Sequence, residues 1–133
     1  MMRPGCHLIL DGETTEPLTA AKVERFLRHF PTLIKMRRIT EPLVVDQDGG
    51  CCGVVIIAES HISVHTRGHR VMVDVFSCIG LDTALAIQGV ERLLGLKRYK
   101  TQTIPRPMPM PAAVSRLLKE GCVVPLEGAD GDS

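Results

Sequence analysis

The sequence predicts an α+β fold, a two-layer α/β sandwich with a mainly antiparallel sheet and two helices on one face. Three observations lead there. Cys51 to Ala58, His61 to Thr66 and Arg70 to Ser77 are three successive β-type runs separated by short polar breaks. Two further stretches repeat apolar residues at helical spacing. Their order along the chain is strand, helix, strand, three strands, helix, strand.

The elements follow in order. Cys6 to Leu10 is a short apolar run closed by the turn signal Asp11-Gly12. From Leu18 or Thr19 the apolar residues Val23, Phe26, Leu27 and Phe30 mark a first helix, which Pro31 is expected to end. Leu33 to Ile39 reads as a second strand, and Asp46-Gln-Asp-Gly-Gly50 as a turn. In the last of the three central runs, Val71, Val73 and Val75 alternate with Met72, Asp74 and Phe76, the pattern of a half-buried strand in a meander. Leu81 to Leu94 is a second amphipathic helix with Leu85, Val90, Leu93 and Leu94 apolar and Gly95 as its stop. Lys97 to Ile104 supplies a final strand. Residues 1–106 make one domain; the proline-rich stretch from Pro105 to Pro111 opens a tail over 107–133, with a short helix from Ala112 to Glu120 and disorder from Gly128.

Composition bounds the function. A chain of 133 residues with 44% hydrophobic content has material for one core. Trp is absent and the only aromatics are Phe26, Phe30, Phe76 and Tyr99, so stacking platforms are scarce. A net charge of +1 with interspersed signs offers no basic face for nucleic acid. The longest strictly apolar run, Val54 to Ala58, is too short to span a bilayer, and a cytoplasmic location is expected. Five cysteines, an odd count without scaffold spacing, suit reduced thiols.

The chemistry centres on Glu59-Ser60-His61, where an apolar strand runs into a hydroxyl able to attack its own peptide bond. His65 follows five residues on, and Val73-Asp-Val-Phe-Ser-Cys78 closes the region. In this pattern the stretch from about Gly5 to about Arg106 resembles the pyruvoyl-dependent S-adenosylmethionine decarboxylase proenzymes of prokaryotes. The resemblance implies scission between Glu59 and Ser60, leaving a covalent pyruvoyl group derived from Ser60 as the cofactor that condenses with a substrate amine. It implies His65 as the processing base, a role that imidazole fits near neutral pH. Cys78 matches the proton donor, and a thiol gives up a proton readily. A homodimer of cleaved protomers acting in polyamine synthesis is implied as well, with a small-molecule amine as substrate and neither nucleic acid nor membrane as partner.

The family pattern breaks where the nucleoside should sit. The usual His-Thr-Trp-Pro-Glu, whose glutamate holds the ribose, reads His65-Thr-Arg-Gly-His69, and the stretch before Val71 is two residues shorter. Asp46 stands where a phenylalanine stacks on adenine, an interaction worth ~1 to 3 kcal/mol. The aromatic residue common after the first strand is also missing around Gly12-Glu13. A carboxylate at Asp46 favours a guanidinium or ammonium group, so arginine or ornithine becomes the expected substrate, ahead of S-adenosylmethionine. Asp-Gln-Asp-Gly-Gly is equally good turn chemistry for a solvated Asp46. Arg67 and Arg70 read as exposed strand residues; inside the pocket either would repel a cationic substrate. His61, His65 and His69 share a four-residue spacing, but on a strand residues eight apart lie ~26 Å apart, too far for one metal ion. A reading of another class is an uncleaved regulatory homologue.

Overall fold

The structure, a computed structural model, describes residues 5–108. Six antiparallel strands form one sheet in the order β2-β3-β4-β5-β1-β6, with β1 (Gly5–Thr14), β2 (Leu43–Gln47), β3 (Gly50–Ile57), β4 (Ser60–Arg67), β5 (Arg70–Ser77) and β6 (Leu96–Arg106). Helices α1 (Ala20–Leu33) and α2 (Thr83–Leu94) complete the α+β sandwich that the periodicities predict.

Alternation along the strands divides the sheet into two unlike faces. Leu8 and Leu10 of β1, Val55 and Ile57 of β3, Ile62 and Val64 of β4, and Val71, Val73 and Val75 of β5 are buried in a single core. The helices close it with Val23, Phe26, Leu27 and Phe30 from α1 and Ala86, Val90 and Leu94 from α2. Phe26 and Phe30 stack at 4.7 Å, which lets two of the few aromatics fill the space between helix and sheet. Gly53 marks the closest approach of α1 to the sheet: a Cβ there would lie 2.8 Å from Leu27 Cδ1 and 3.0 Å from Val23 Cγ1.

The ends of the helices follow from local chemistry. Thr19 caps α1 by accepting from the Lys22 N–H at 3.2 Å, and Asp82 caps α2 by accepting from the Leu85 N–H at 3.0 Å. Gly95 stops α2 in the left-handed conformation, φ 69°.

Three elements depart from the expected bounds. β1 continues through Asp11-Gly12 to Thr14, because β5 and β6 pair with it on both sides and their ladders override the turn signal. α1 runs through Pro31 to Leu33; a proline so near the end removes only one helical hydrogen bond, and Pro31 is itself buried in the packing. The strand expected over Leu33 to Ile39 is reduced to a single bridge between Arg38 and Ile57, and Leu43–Gln47 takes the edge position. Asp46 and Gln47 look like turn residues because an exposed edge strand tolerates polar side chains. The helix expected at Ala112 to Glu120 and the tail beyond it lie outside the described residues.

Candidate active site

β3 and β4 are joined by the two-residue hairpin loop Ala58-Glu59, with Ile57 paired to Ser60. Closing so tight a loop puts Glu59 in the left-handed region at φ 58°, costly for a residue with a Cβ. The peptide bond that follows Glu59 is the one singled out in the sequence. Ser60 shares the buried phase of β4 with Ile62 and Val64 and is 7% exposed.

Around that bond three groups converge. The Ser60 hydroxyl donates to the Glu59 carbonyl oxygen at 2.5 Å, which keeps Oγ beside the carbonyl it would attack. The Cys78 N–H donates to Ser60 Oγ at 3.1 Å. The Cys78 thiol donates to the same Glu59 carbonyl at 2.8 Å, with Glu59 Oε1 at 3.5 Å. A donor on that oxygen polarises the carbonyl and stabilises negative charge developing there.

Ser77 positions Cys78, and sequence reasoning does not single it out. It is fully buried and paired with Ser60 across the β4–β5 ladder. Its hydroxyl donates to the Gly80 carbonyl at 2.6 Å and accepts from the Ile79 N–H at 3.3 Å, folding the segment after β5 back toward the hairpin tip. The available signal was a hydroxyl in phase with Val73 and Val75, three residues before a loop glycine. Cys6 is the register partner of Ser77 on the other side, and burial pushes its thiol pKa up.

The remaining expected residues lie elsewhere. His65 is an odd number of residues from Ser60 and therefore on the opposite face, ~16 Å along the strand. Asp46 is exposed on the edge strand β2, paired with Cys51 near the far end of β3, ~20 Å along the sheet from Ile57. Within one chain the fold thus unites Glu59, Ser60 and Cys78 and separates them from His65 and Asp46. His69 sits in the β4–β5 turn, its Nδ1 3.1 Å from the Thr14 carbonyl oxygen. Arg67 and Arg70, expected as exposed strand residues, are exposed and line one groove with His65.

Residues 6–107 match the S-adenosylmethionine decarboxylase family along most of the chain. The chain belongs to that family. Among its members, the S-adenosylmethionine decarboxylase proenzyme of Geobacillus kaustophilus is 39% identical over 62 residues, 44% of this chain and 49% of that protein. The proenzyme of Anoxybacillus flavithermus is 37% identical over 62 residues, with the same coverage. The matched stretch thus spans about half the length of these relatives. The fold agrees with the crystal structure of the adenosylmethionine decarboxylase from Aquifex aeolicus, with a TM-score of 0.65 and 23% identity over 83% of this chain and 96% of that one. Among the described residues, no helix of this family member is long and apolar enough to cross a membrane.

Proposed function

We propose that the chain is a self-processing, pyruvoyl-dependent decarboxylase that acts on S-adenosylmethionine. The observation that carries the reading is the Glu59-Ser60 bond itself, strained at a hairpin tip, with Ser60 Oγ beside the Glu59 carbonyl and two donors from Cys78 around it.

The chain's own residues fit the formation of the group. Ser60 Oγ bonds to the Glu59 carbonyl carbon, the C–N bond breaks, and the hydroxyl proton ends on the released nitrogen, so the amide becomes an ester. Loss of the Ser60 Cα proton with cleavage of the Cβ–Oγ bond then frees Glu59 as a carboxylate. Water replaces the nitrogen of residue 60, which leaves as ammonia. The products are residues 1–59 and 60–133, held together by the β3–β4 ladder. A pyruvoyl group at residue 60 supplies a carbonyl that condenses with the substrate amine and withdraws electrons as carbon dioxide leaves. Cys78 is in contact with the Glu59-Ser60 bond, which supports its role in returning a proton to the substrate.

The Cα proton needs a base. His65 is the proposed one, and since it emerges on the other sheet face it would come from a second copy of the chain. A homodimer of cleaved protomers, working in the cytoplasm, follows from this reading. The comparisons favour S-adenosylmethionine as substrate, and the exposed position of Asp46 weakens a pocket built on that residue alone. A second reading keeps arginine or ornithine, favoured by Asp46 and by His69 standing where the family's glutamate holds the ribose.

Intact-mass measurement tests the core of the proposal, with two fragments expected. A single full-length species, unreactive to borohydride with an amine, would overturn it in favour of an uncleaved regulatory homologue. Carbon dioxide released from carboxyl-labelled S-adenosylmethionine, arginine and ornithine then selects the substrate. Loss of amino acid turnover on Asp46→Ala would establish the second reading.

A further inference from the structure

On the helix side of the sheet, a pocket of ≈ 280 Å³ opens where the turn after β1 meets the last turn of α2. It lies far from the chemistry above. Cys6 is paired with Ser77 and Glu13 with Arg70, so Thr15 and Gly95 sit beyond the opposite end of the ladder from Ser60, ~23 Å along the strands. The helices cover the buried face of the sheet, whereas His65 emerges on the open one. The Thr15 N–H donates to the Gly95 carbonyl at 3.1 Å, which ties the two walls of the pocket together.

Charge in the pocket is lopsided. Lys22, Arg25 and His29 follow one another at three- and four-residue spacing and so share one side of α1, and Arg92 joins them from the last turn of α2. Among the described residues, Arg25 and Arg92 have no carboxylate oxygen within 4.0 Å, and Lys22 reaches only Glu16, at 4.0 Å. Glu24, the carboxylate of α1, is held by Arg28, and Glu91, that of α2, lies outside the lining. Lys22, Arg25 and Arg92 therefore face the single carboxylate of Glu16 among the described lining residues, and a cleft so charged concentrates anions. Arg92 also offsets the partial negative charge at the end of α2. The rest of the lining is apolar: Phe26, Leu18 and Leu93, the last 42% exposed.

We propose that this pocket binds a small oxyanion with a short apolar body, the charged end between Arg25 and Arg92 and the apolar end on Leu18, Phe26 and Leu93. The planar guanidinium fork takes carboxylate and phosphate groups bidentately, and neither fork here is occupied by a carboxylate of the chain. The exposed leucine lets an apolar body leave water, a gain that a bare inorganic ion does not make. The volume stands at the lower end of ligand sites, ~300 Å³, which restricts the occupant to a small molecule. The site goes beyond the decarboxylase reading, because it requires neither chain scission, nor the prosthetic group, nor a second copy of the chain.

The test is a titration of the full chain, followed by amide chemical shifts, with phenyl phosphate, benzoate and inorganic phosphate in separate arms, each at an ionic strength matched with sodium chloride. Saturable shifts confined to residues 15–29 and 91–95 are expected. Phenyl phosphate or benzoate should bind tightest, and the tighter of the two identifies phosphoryl or carboxylate as the group recognised. Arg25→Gln and Arg92→Gln should each weaken binding by roughly tenfold or more. Leu93→Ser should weaken the aromatic ligands by roughly threefold or more and leave inorganic phosphate unchanged. Arg37→Gln, which removes the same charge from an exposed position outside the pocket, should leave all three arms unchanged. Should Arg92→Gln fail to fold, Arg92→Lys keeps the charge at the helix end, removes the fork and should weaken binding in the same direction. Shifts that do not saturate, that sodium chloride alone reproduces, or that persist undiminished in both arginine variants overturn the proposal. So does inorganic phosphate binding as tightly as the aromatic ligands.

Discussion

Replacing Cys78 by alanine isolates the contribution of one hydrogen bond to chain scission. In the uncut chain the Glu59 carbonyl oxygen accepts from Ser60 Oγ at 2.5 Å and from Cys78 Sγ at 2.8 Å. The first is lost as soon as Oγ gives up its proton to attack, so the thiol is the remaining donor on the oxygen where negative charge gathers. Alanine removes that donor but leaves the Cys78 N–H on Ser60 Oγ at 3.1 Å, because that contact belongs to the backbone. Deleting a good oxyanion donor slows acyl transfer by about 10²- to 10³-fold, and a thiol is a weaker donor than an amide. Cys78→Ala should therefore slow scission by roughly 10- to 100-fold, about 1.4 to 2.7 kcal/mol in the barrier. Cys78→Ser, which restores a donor, should recover part of the rate. The assay is a quenched time course after synthesis, read as the ratio of full-length chain to the 60–133 fragment by mass. If Cys78→Ala matures as fast as the parent chain, the thiol does not act on this carbonyl and the site geometry has been misread.

Glu59→Gly should relieve roughly 1 to 2 kcal/mol of left-handed strain, raising the urea midpoint and slowing scission; a variant that is more stable yet cleaves no more slowly would separate strain from chemistry. Gly53→Ala should cost about 1 to 3 kcal/mol in urea unfolding, since its new methyl lies 2.8 Å from Leu27 Cδ1; a neutral result would mean that α1 shifts without loss. Arg98 holds the Glu13 carboxyl below its usual range, and Arg28 with Arg38 does the same for Glu41. A depressed carboxyl stabilises the fold fully above its unfolded pKa and loses that effect as pH falls through the lower folded value. The urea-midpoint gap between parent and the Glu13→Gln, Glu41→Gln double variant should therefore be present at neutral pH and close in acid, below the ordinary carboxylate range. An equal gap at both pH values would remove these pairs from the stability account.

What the sequence made legible was whatever strand and helix periods encode. Val71, Val73 and Val75 declared their face of the sheet, and Val23, Phe26, Leu27 and Phe30 declared theirs on α1, because burial there depends on local spacing alone. Leu43–Gln47 was hidden because an edge strand with one turn-like end carries little apolar signal, and Pro31 misled because its position in the last helical turn made it harmless. Glu59, Ser60 and Cys78 were legible as a motif and meet in space. Ser77 was not, since its role depends on a loop closing back onto Gly80, a contact that no spacing rule records.

The placement of His65 can be decided without a structure of an assembly. Side chains on a strand alternate with period two, so a residue five positions from Ser60 emerges on the opposite face whatever its rotamer, ~16 Å away. No side-chain rotation brings that imidazole to the Ser60 Cα of its own chain. Either His65 is not the base or a second chain presents it. Co-expression of Ser60→Ala, which keeps His65 but cannot be cut, with His65→Ala, which keeps the scissile hydroxyl, distinguishes the two. Base supplied between chains predicts that the His65→Ala chain, inert alone, is cut when Ser60→Ala accompanies it, with the fragment mass carrying the alanine at position 65. If the His65→Ala chain is cut equally well by itself, imidazole at this position has no part in scission. If it stays whole in both settings while the parent matures, the second copy does not supply the missing base and the proposed dimeric site is wrong.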